Sequence, residues 1–314
     1  MELRDFEAFV AVAEELHFGR AAERLHISQP PLSNRIRQLE HDLKLQLFER
    51  STRNVALTDA GARLLEPARR VLNQVDNTLD LARSIHSGDQ GRVRIGFAGA
   101  SSQRVLPLMT NAVRSAHPGI QLELRSQTYV YTALELLMSG ALDLAFARLP
   151  ITQPELAWRV VEVEEIICAL PASHPLAMQD SVRVSDLKDD DFVSLPSDQG
   201  SILQSTMYAL CVTAGFRPRI TQVAPDSATV LALVAAGAGV TITLSSASPV
   251  QTVGLVYRPL ENISPSRMYA TLTWRRDDPS PALAKVLKMA KTALPTPDYS
   301  PTDMDGLGIG IGDR

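Results

Sequence analysis

FGRAAERLHISQPPLSNRIRQLEHDL, residues 18–43, reads as two helices joined by a tight turn. A short helix covers roughly Gly19 to Leu25. Ser28 then precedes a longer helix, in the place of a side-chain N-cap. Pro30 and Pro31 fall in its first turn, where a missing N–H costs little. Leu32, Ile36, Leu39 and Leu43 recur at helical spacing and form one apolar stripe. The opposite face carries Gln29, Pro30, Ser33, Asn34, Arg37 and Gln38. A helix, a short turn and a second helix with a polar outer face is the pattern of a helix-turn-helix. The same pattern also suits a three-helix bundle whose polar face is merely solvated.

A helix fits the major groove, and short polar side chains near its start touch base edges. Gln29 and Ser33 are placed to bond bases, and Pro30 to lie on a thymine methyl. Arg35 and Arg37 are spaced to reach phosphates or guanine edges. Two short strands, about 48–50 and 54–57, bracket the turn Ser51-Thr52-Arg53, so Arg50 and Arg53 sit on a wing beside the backbone or minor groove. The expected DNA-facing set is Arg20, Ser28, Gln29, Pro30, Pro31, Ser33, Asn34, Arg35, Arg37, Arg50 and Arg53. Between Arg20 and Arg53 there are seven Lys/Arg and four Asp/Glu, so this region is locally basic although the whole chain carries −4.

Upstream, Phe6, Phe9, Val10, Ala13 and Leu16 mark the buried face of a first helix. Downstream, 59–87 reads as one long helix. Its stripe of Leu64, Ala68, Val71, Val75, Leu79 and Ala82 is too long for a 58-residue head to cover, which points to a second chain. Packing back on its own head is the alternative. Ser87-Gly88-Asp89-Gln90-Gly91 is a polar break. Beyond it, strand 92–97, helix 102–115, strand 120–125, helix 129–139 and strand 142–147 alternate, as in a parallel sheet covered by helices. Ser227 to Ala236 is a helix closed by Gly237, with a strand from Val240 to Leu244. About ten strand-like runs follow Arg92, which favours two lobes over a single sheet. The tail from 294 is rich in Pro, Gly and Asp and is expected to be poorly ordered.

The 314 residues are 45% hydrophobic and 21% charged, which excludes a wholly disordered or fibrous chain. No uninterrupted apolar run approaches about 18 residues, so no membrane span is expected. MELRDFEAFV has no basic leader region, and a cytoplasmic location is expected. Cys168 and Cys211 read as reduced structural thiols; their spacing does not support a redox pair. Asp189-Asp190-Asp191 reads as a solvated turn rather than a metal site, and the six histidines have no ligand spacing. AAGAGV, which contains Gly237 and Gly239, is not a dinucleotide loop. No nucleophile–base pair, metal cluster or cofactor loop is legible, so neither catalysis nor a cofactor is expected.

The whole run MELRDFEAFVAVAEELHFGRAAERLHISQPPLSNRIRQLEHDLKLQLFERSTRNVALTDAGARLL resembles the LysR-type transcriptional regulators, densely through AAERL, SQPPLS, IRQLE and LFER. RIGF, LDLAFAR, HPL and LVAAGAGV extend the resemblance more loosely to about residue 293. It implies an α/β fold class in three parts. These are a winged helix-turn-helix at 1–58, a dimerisation helix and hinge at 59–90, and a two-lobe effector-binding domain at 91–293 resembling periplasmic binding proteins. Lobe I is placed at 92–161 and 267–293, and lobe II at 162–266. The implied partners are double-stranded promoter DNA, a small-molecule effector, RNA polymerase, and further copies in a homodimer or homotetramer. SQPPLS and RIRQLE resemble the branch that regulates aromatic-compound degradation, where the effector is often a carboxylate.

Matching cleft positions are Gly99, Ala100, Ser101, Ser102, Thr128, Val130, Arg148, Ser197, Ile202 and Leu203. Ser101 and Ser102 are expected either to cap the next helix beside a ligand or simply to cap it. Arg148 is expected to pair with an anionic ligand or with a nearby acid of its own lobe. Two departures from the branch, Val130-Tyr131 and Gly99-Ala100, imply a cleft of different and more apolar shape and put a muconate-like effector in doubt. A solute-binding module without a regulatory role and an enzyme on the same fold are the competing readings.

Overall fold

The computed structural model describes residues 1–50, 55–87, 90–197, 200–248 and 252–299. Arg53, and the expected disorder of the tail from 300 onward, lie outside the described residues. Two compact units are formed, Met1–Ala82 with Ser139–Ala141, and Arg83–Met138 with the chain from Leu142.

In the first unit, α1 (Leu3–Glu15), α2 (Phe18–Arg24) and α3 (Gln29–Leu43) are followed by strands β1 (Phe48–Arg50) and β2 (Val55–Leu57) and by the long α4 (Asp59–Ser87). Phe9, Ala21, Leu32, Ile36, Leu39 and Phe48 are almost fully buried together. Phe48 meets Phe9 at 5.6 Å and Phe18 at 6.1 Å between ring centroids. Leu16 departs from the expected buried face: it takes a left-handed conformation that ends α1 and is 48% exposed. Ser28 occupies the N-cap of α3 but makes no side-chain cap bond. The reason lies in the next residues: a cap accepts from the second or third N–H of a helix, and here these belong to Pro30 and Pro31, which have none.

The strands pair antiparallel, with Phe48 opposite Leu57 and Arg50 opposite Val55. The hydroxyl of Thr58 accepts from Gly61 N at 3.0 Å to start α4. A Cβ on Gly61 would collide with the Leu47 carbonyl, so glycine is what lets the helix close on the base of the hairpin. The α4 stripe divides. Ala68 is buried in the core of its own head and Leu64 packs beside it, whereas Val71 is 42% and Leu79 50% exposed. Glu14 clamps α1 to its neighbours through Arg24 at 2.6 Å and Arg69 at 2.7 Å.

In the second unit, β3 (Gly91–Gly96), α5 (Ala100–Ala116), β4 (Ile120–Arg125), α6 (Val130–Met138) and β5 (Leu144–Arg148) form the expected alternating units. β3 runs parallel to both β4 and β5. Next come β6 (Leu156–Pro171), β7 (Val182–Arg183), β8 (Asp191–Ser194), α7 (Ile202–Thr213), β9 (Arg219–Val223), α8 (Ser227–Ala235) and β10 (Thr241–Leu244). β11 (Leu255–Glu261), β12 (Arg267–Arg275) and α9 (Pro281–Ala293) complete the fold.

The expectation of parallel pairing against a single sheet needs correction. Eight strands form one curled sheet, in the order β4-β3-β5-β12-β6-β11-β7 with β10 also on β6. The sixteen-residue β6 runs antiparallel to β12 along its first part and to β10 and β11 along its last. Two lobes still result, because each end of β6 carries its own core. Val93, Ile95, Met109, Leu272 and Val286 fill one, and Phe192, Met207, Cys211 and Ile242 fill the other. Both cysteines are buried in the second lobe, and burial pushes the Cys211 thiol up to about 12. The acidic run is held by side-chain contacts: His174 Nε2 lies 3.1 Å from Asp190 Oδ1, and Arg219 pairs with Asp191. No helix among the described residues is long and apolar enough to cross a membrane.

Candidate nucleic-acid interface and ligand cleft

On the first unit, Ser28, Gln29, Pro30, Pro31, Asn34 and Arg37 are exposed together along α3, with Ser33 half-buried among them. Arg37 donates to Asn34 Oδ1 at 3.1 Å, which orients both on the outer face. Arg20 is exposed on α2 and is steadied by Glu15 at 3.2 Å. Arg35 does not join this face: it turns to Asp5 of α1 at 3.5 Å. Its position, two residues from both Ser33 and Arg37, puts it on the far side of a 3.6-residue turn. The side chain of Arg50, like all of Arg53, lies outside the described residues. The face is therefore a helix edge with uncharged polar groups at its start and cations behind, the arrangement that suits base edges and phosphates respectively.

On the second unit, a cleft lies between the lobes. Four helix starts line it: Gly99 before α5, Tyr129 and Val130 at α6, Ile202 and Leu203 at α7, and Ser227 at α8. No carboxylate side chain among the described residues lines it. Gly99 holds φ +81° as the N-cap of α5 and gives that helix no side-chain cap. Arg148, at the end of β5, lies beside it.

Of the expected cleft residues, Gly99, Thr128, Val130, Arg148, Ile202 and Leu203 are brought together. The side chains of Ala100 and Ser101 lie outside the described residues. Ser102 is buried and its hydroxyl turns back to Gly99 O at 2.7 Å, so it does not point at the cleft. Ser197 is exposed and does not line the cleft. The Thr128 hydroxyl donates to Arg125 O at 3.0 Å within its own turn. Arg148 Nη2 and Nε donate to Glu164 Oε2 at 2.8 and 3.2 Å, and Glu164, fully buried, also accepts from the Ser246 hydroxyl. The ion pair with a lobe acid is thus formed, and it fixes the guanidinium at the cleft wall.

Sequence reading placed Tyr129 and Ser201 only within the runs 128–131 and 197–203, and missed Phe146, Thr243 and Ser246. Thr241 and Thr243 carried a usable signal: hydroxyls at alternate positions of the otherwise apolar TITL share one face of a strand.

Two family models match the chain, "Bacterial regulatory helix-turn-helix protein, lysR family" over residues 3–62 and "LysR substrate binding domain" over 86–295. The HTH-type transcriptional regulator ShiR of Corynebacterium glutamicum (strain R) is 41% identical over 264 residues, 84% of this chain and 90% of that protein. The crystal structure of CbnR, a LysR family transcriptional regulator, matches with TM-score 0.71 and 27% identity over 94% of this chain and 99% of that one. Full-length CbnR complexed with its target DNA matches with TM-score 0.69 and 27% identity, over 93% of this chain and all of that one. These relatives are regulators of transcription, not enzymes. The chain belongs to the LysR family of DNA-binding transcriptional regulators, with a helix-turn-helix head and a substrate-binding domain.

Proposed function

We propose that this regulator is switched by a small organic acid held between the two lobes, and that it reads its operator through the exposed edge of α3. The observation that carries the effector reading is the cleft itself. The Arg148 guanidinium and the start of α5, which has no side-chain cap, meet in a space that no carboxylate side chain lines among the described residues. Unpaired N–H groups at a helix start, with the positive end of its dipole, favour an anion. An effector acts only by binding one arrangement of the lobes better than another. On this reading residues 1–58 are the DNA-binding head, 59–90 the linker and dimerisation helix, and 91–293 the effector domain. Lobe I comprises 92–161 and 267–293, and lobe II 162–266. The exposed Val71 and Leu79 support pairing of α4 with a second copy, in a homodimer or homotetramer. Contact with RNA polymerase and action in the cytoplasm belong to the same reading.

Two measurements test it. Ser33→Arg puts a long cation into the middle of the reading edge. It is expected to abolish footprinting on the operator while leaving the oligomer's mass unchanged; a normal footprint would remove α3 from its role. Thermal unfolding of the full chain against small carboxylates tests the cleft, since a ligand at about 100 times its dissociation constant adds ~2.7 kcal/mol. Arg148→Gln is expected to suppress that gain.

A further inference from the structure

Beside Arg148, β6 carries two carboxylates that are satisfied to different degrees. The strand slips one residue against β12 at Val161, and beyond the slip Glu162 and Glu164 are alternate residues on one face. Glu164 is fully buried with both oxygens engaged, Oε1 by the Ser246 hydroxyl and Oε2 by Arg148 Nη2 at 2.8 Å. The Glu162 side chain is 11% exposed and takes both its bonds on one oxygen, Oε1, from Arg104 Nε at 3.1 Å and Nη2 at 2.6 Å. Its Oε2 is the one carboxylate oxygen among the described residues that is buried without a partner. The charged groups facing Glu162 are Arg104 of α5, Arg148 of β5 and Glu164 of its own strand. The segment after β10 brings Ser245 and Ser246, and β12 sets Ala270 and Met268 opposite the two glutamates, none of them charged. Charge on Glu162 is thus poorly supported, with one buried oxygen lacking a donor and a second carboxylate two residues away. Burial pushes its carboxyl up, and Glu164 adds to the rise against the pull of Arg104 and Arg148.

We infer that Glu162 is a proton site coupled to the effector: an anion entering the cleft beside Arg148 is accompanied by a proton on Glu162, so that the regulator holds its effector more tightly in acid. This rests on the organic-acid reading above and adds the regulation of that site. The sign follows from electrostatics. Arg148 is at once a wall of the cleft and one of the cations that support charge on Glu162. An anion beside that guanidinium offsets its field, so ionisation of Glu162 becomes harder and a proton is taken up. The proton comes from solvent, which reaches the open part of the side chain and the exposed Arg104 next to it. By linkage, the bound proton strengthens the hold on the anion by the same factor.

The test titrates the full chain with acetate and with benzoate between about pH 6 and 8, where both acids stay ionised. Calorimetry in buffers of different ionisation enthalpy reads the protons taken up on binding. The parent is expected to bind more tightly as the pH falls, by up to about tenfold per pH unit for one proton, and to take up protons as it binds. Glu162→Gln cannot ionise. It is expected to bind at the alkaline end about as tightly as the parent does at the acid end, with a flat profile and no uptake. Arg104→Gln removes a cation that favours the charged form, and is expected to move the pH dependence of the parent toward higher pH. Binding by the parent with a flat profile and no uptake would overturn the inference and leave the acid reading standing. So would a pH dependence and uptake in Glu162→Gln equal to those of the parent, or a shift of Arg104→Gln toward lower pH. No binding of either acid at any pH removes both.

Discussion

Glu14 and Glu162 are both partly buried carboxylates with arginine partners, yet their surroundings push them in opposite directions. Burial works against the Glu14 charge, but Arg69 and Arg24 outweigh it and hold the carboxyl below its ordinary range. Such a group stabilises the fold above the ordinary carboxylate pKa and loses that contribution as the pH falls. Glu14→Gln is therefore expected to lower stability at neutral pH by about 1 kcal/mol or less, since the cluster is partly exposed. Unfolding midpoints of parent and variant should converge as the pH drops through the carboxylate range. At Glu162, burial pushes the carboxyl up, Arg104 pulls it back, and the neighbouring charge of Glu164 raises it again. One of its oxygens, Oε2, is buried without a partner. Its ionised form is disfavoured in the fold, so stability falls as the pH rises through its raised pKa. Glu162→Gln is expected to stabilise the chain at neutral pH, with a gain that shrinks on acidification; a loss at neutral pH would contradict this. Neither sign was legible in the sequence, because it depends on partners as distant as Arg69 and Arg104. Ser28 shows the same limit at short range: the residue type suggested a cap, and two prolines removed the N–H groups it needed.

Among the elements, α3 and α4 were the most legible, because helical periodicity is a local property. The edge from Gln29 to Arg37 is exposed as its spacing implied, with Arg35 the exception, turned inward to Asp5. On α4 the sequence showed one stripe, and only packing shows where it changes partners. Ala68 belongs to the head, while Val71 and Leu79 remain open. Leu79→Glu is thus expected to leave the fold of the head intact and to weaken self-association. Sedimentation would show the mass falling toward a single chain, and an unchanged mass would mean that another surface holds the copies together. The strands of the effector domain were legible as runs but not as a sheet. β6 pairs with residues about 70 to 120 positions further along the chain, and no local pattern encodes such partners.

At the scale of the molecule, one side chain of the cleft wall packs into both lobes. Tyr129 leaves the lobe I turn before α6 and is buried among Val193, Leu195, Val230 and Val234 of lobe II. Its hydroxyl donates to Pro225 O at 3.3 Å. Burial, with the nearby Asp226 charge, raises its pKa and keeps it a donor. The two lobes were expected from the number of strand-like runs, but this bolt was not, since its partners lie more than sixty residues away in sequence. Tyr129 also lines the cleft, so a ligand held there would touch a side chain that packs in both lobes. Removing the ring and removing the hydroxyl should therefore differ. Tyr129→Phe keeps the packed ring and loses one long hydrogen bond, so its stability should change by about 1 kcal/mol or less. Its DNA footprint should still respond to effector. Tyr129→Ala leaves a cavity in the lobe II cluster and is expected to cost about 3 kcal/mol. It should still bind operator through the head, but its footprint should no longer change when effector is added, because the two lobe arrangements are no longer distinguished by a packed ring. An effector response in Tyr129→Ala equal to that of the parent would place the coupling in other contacts between the lobes.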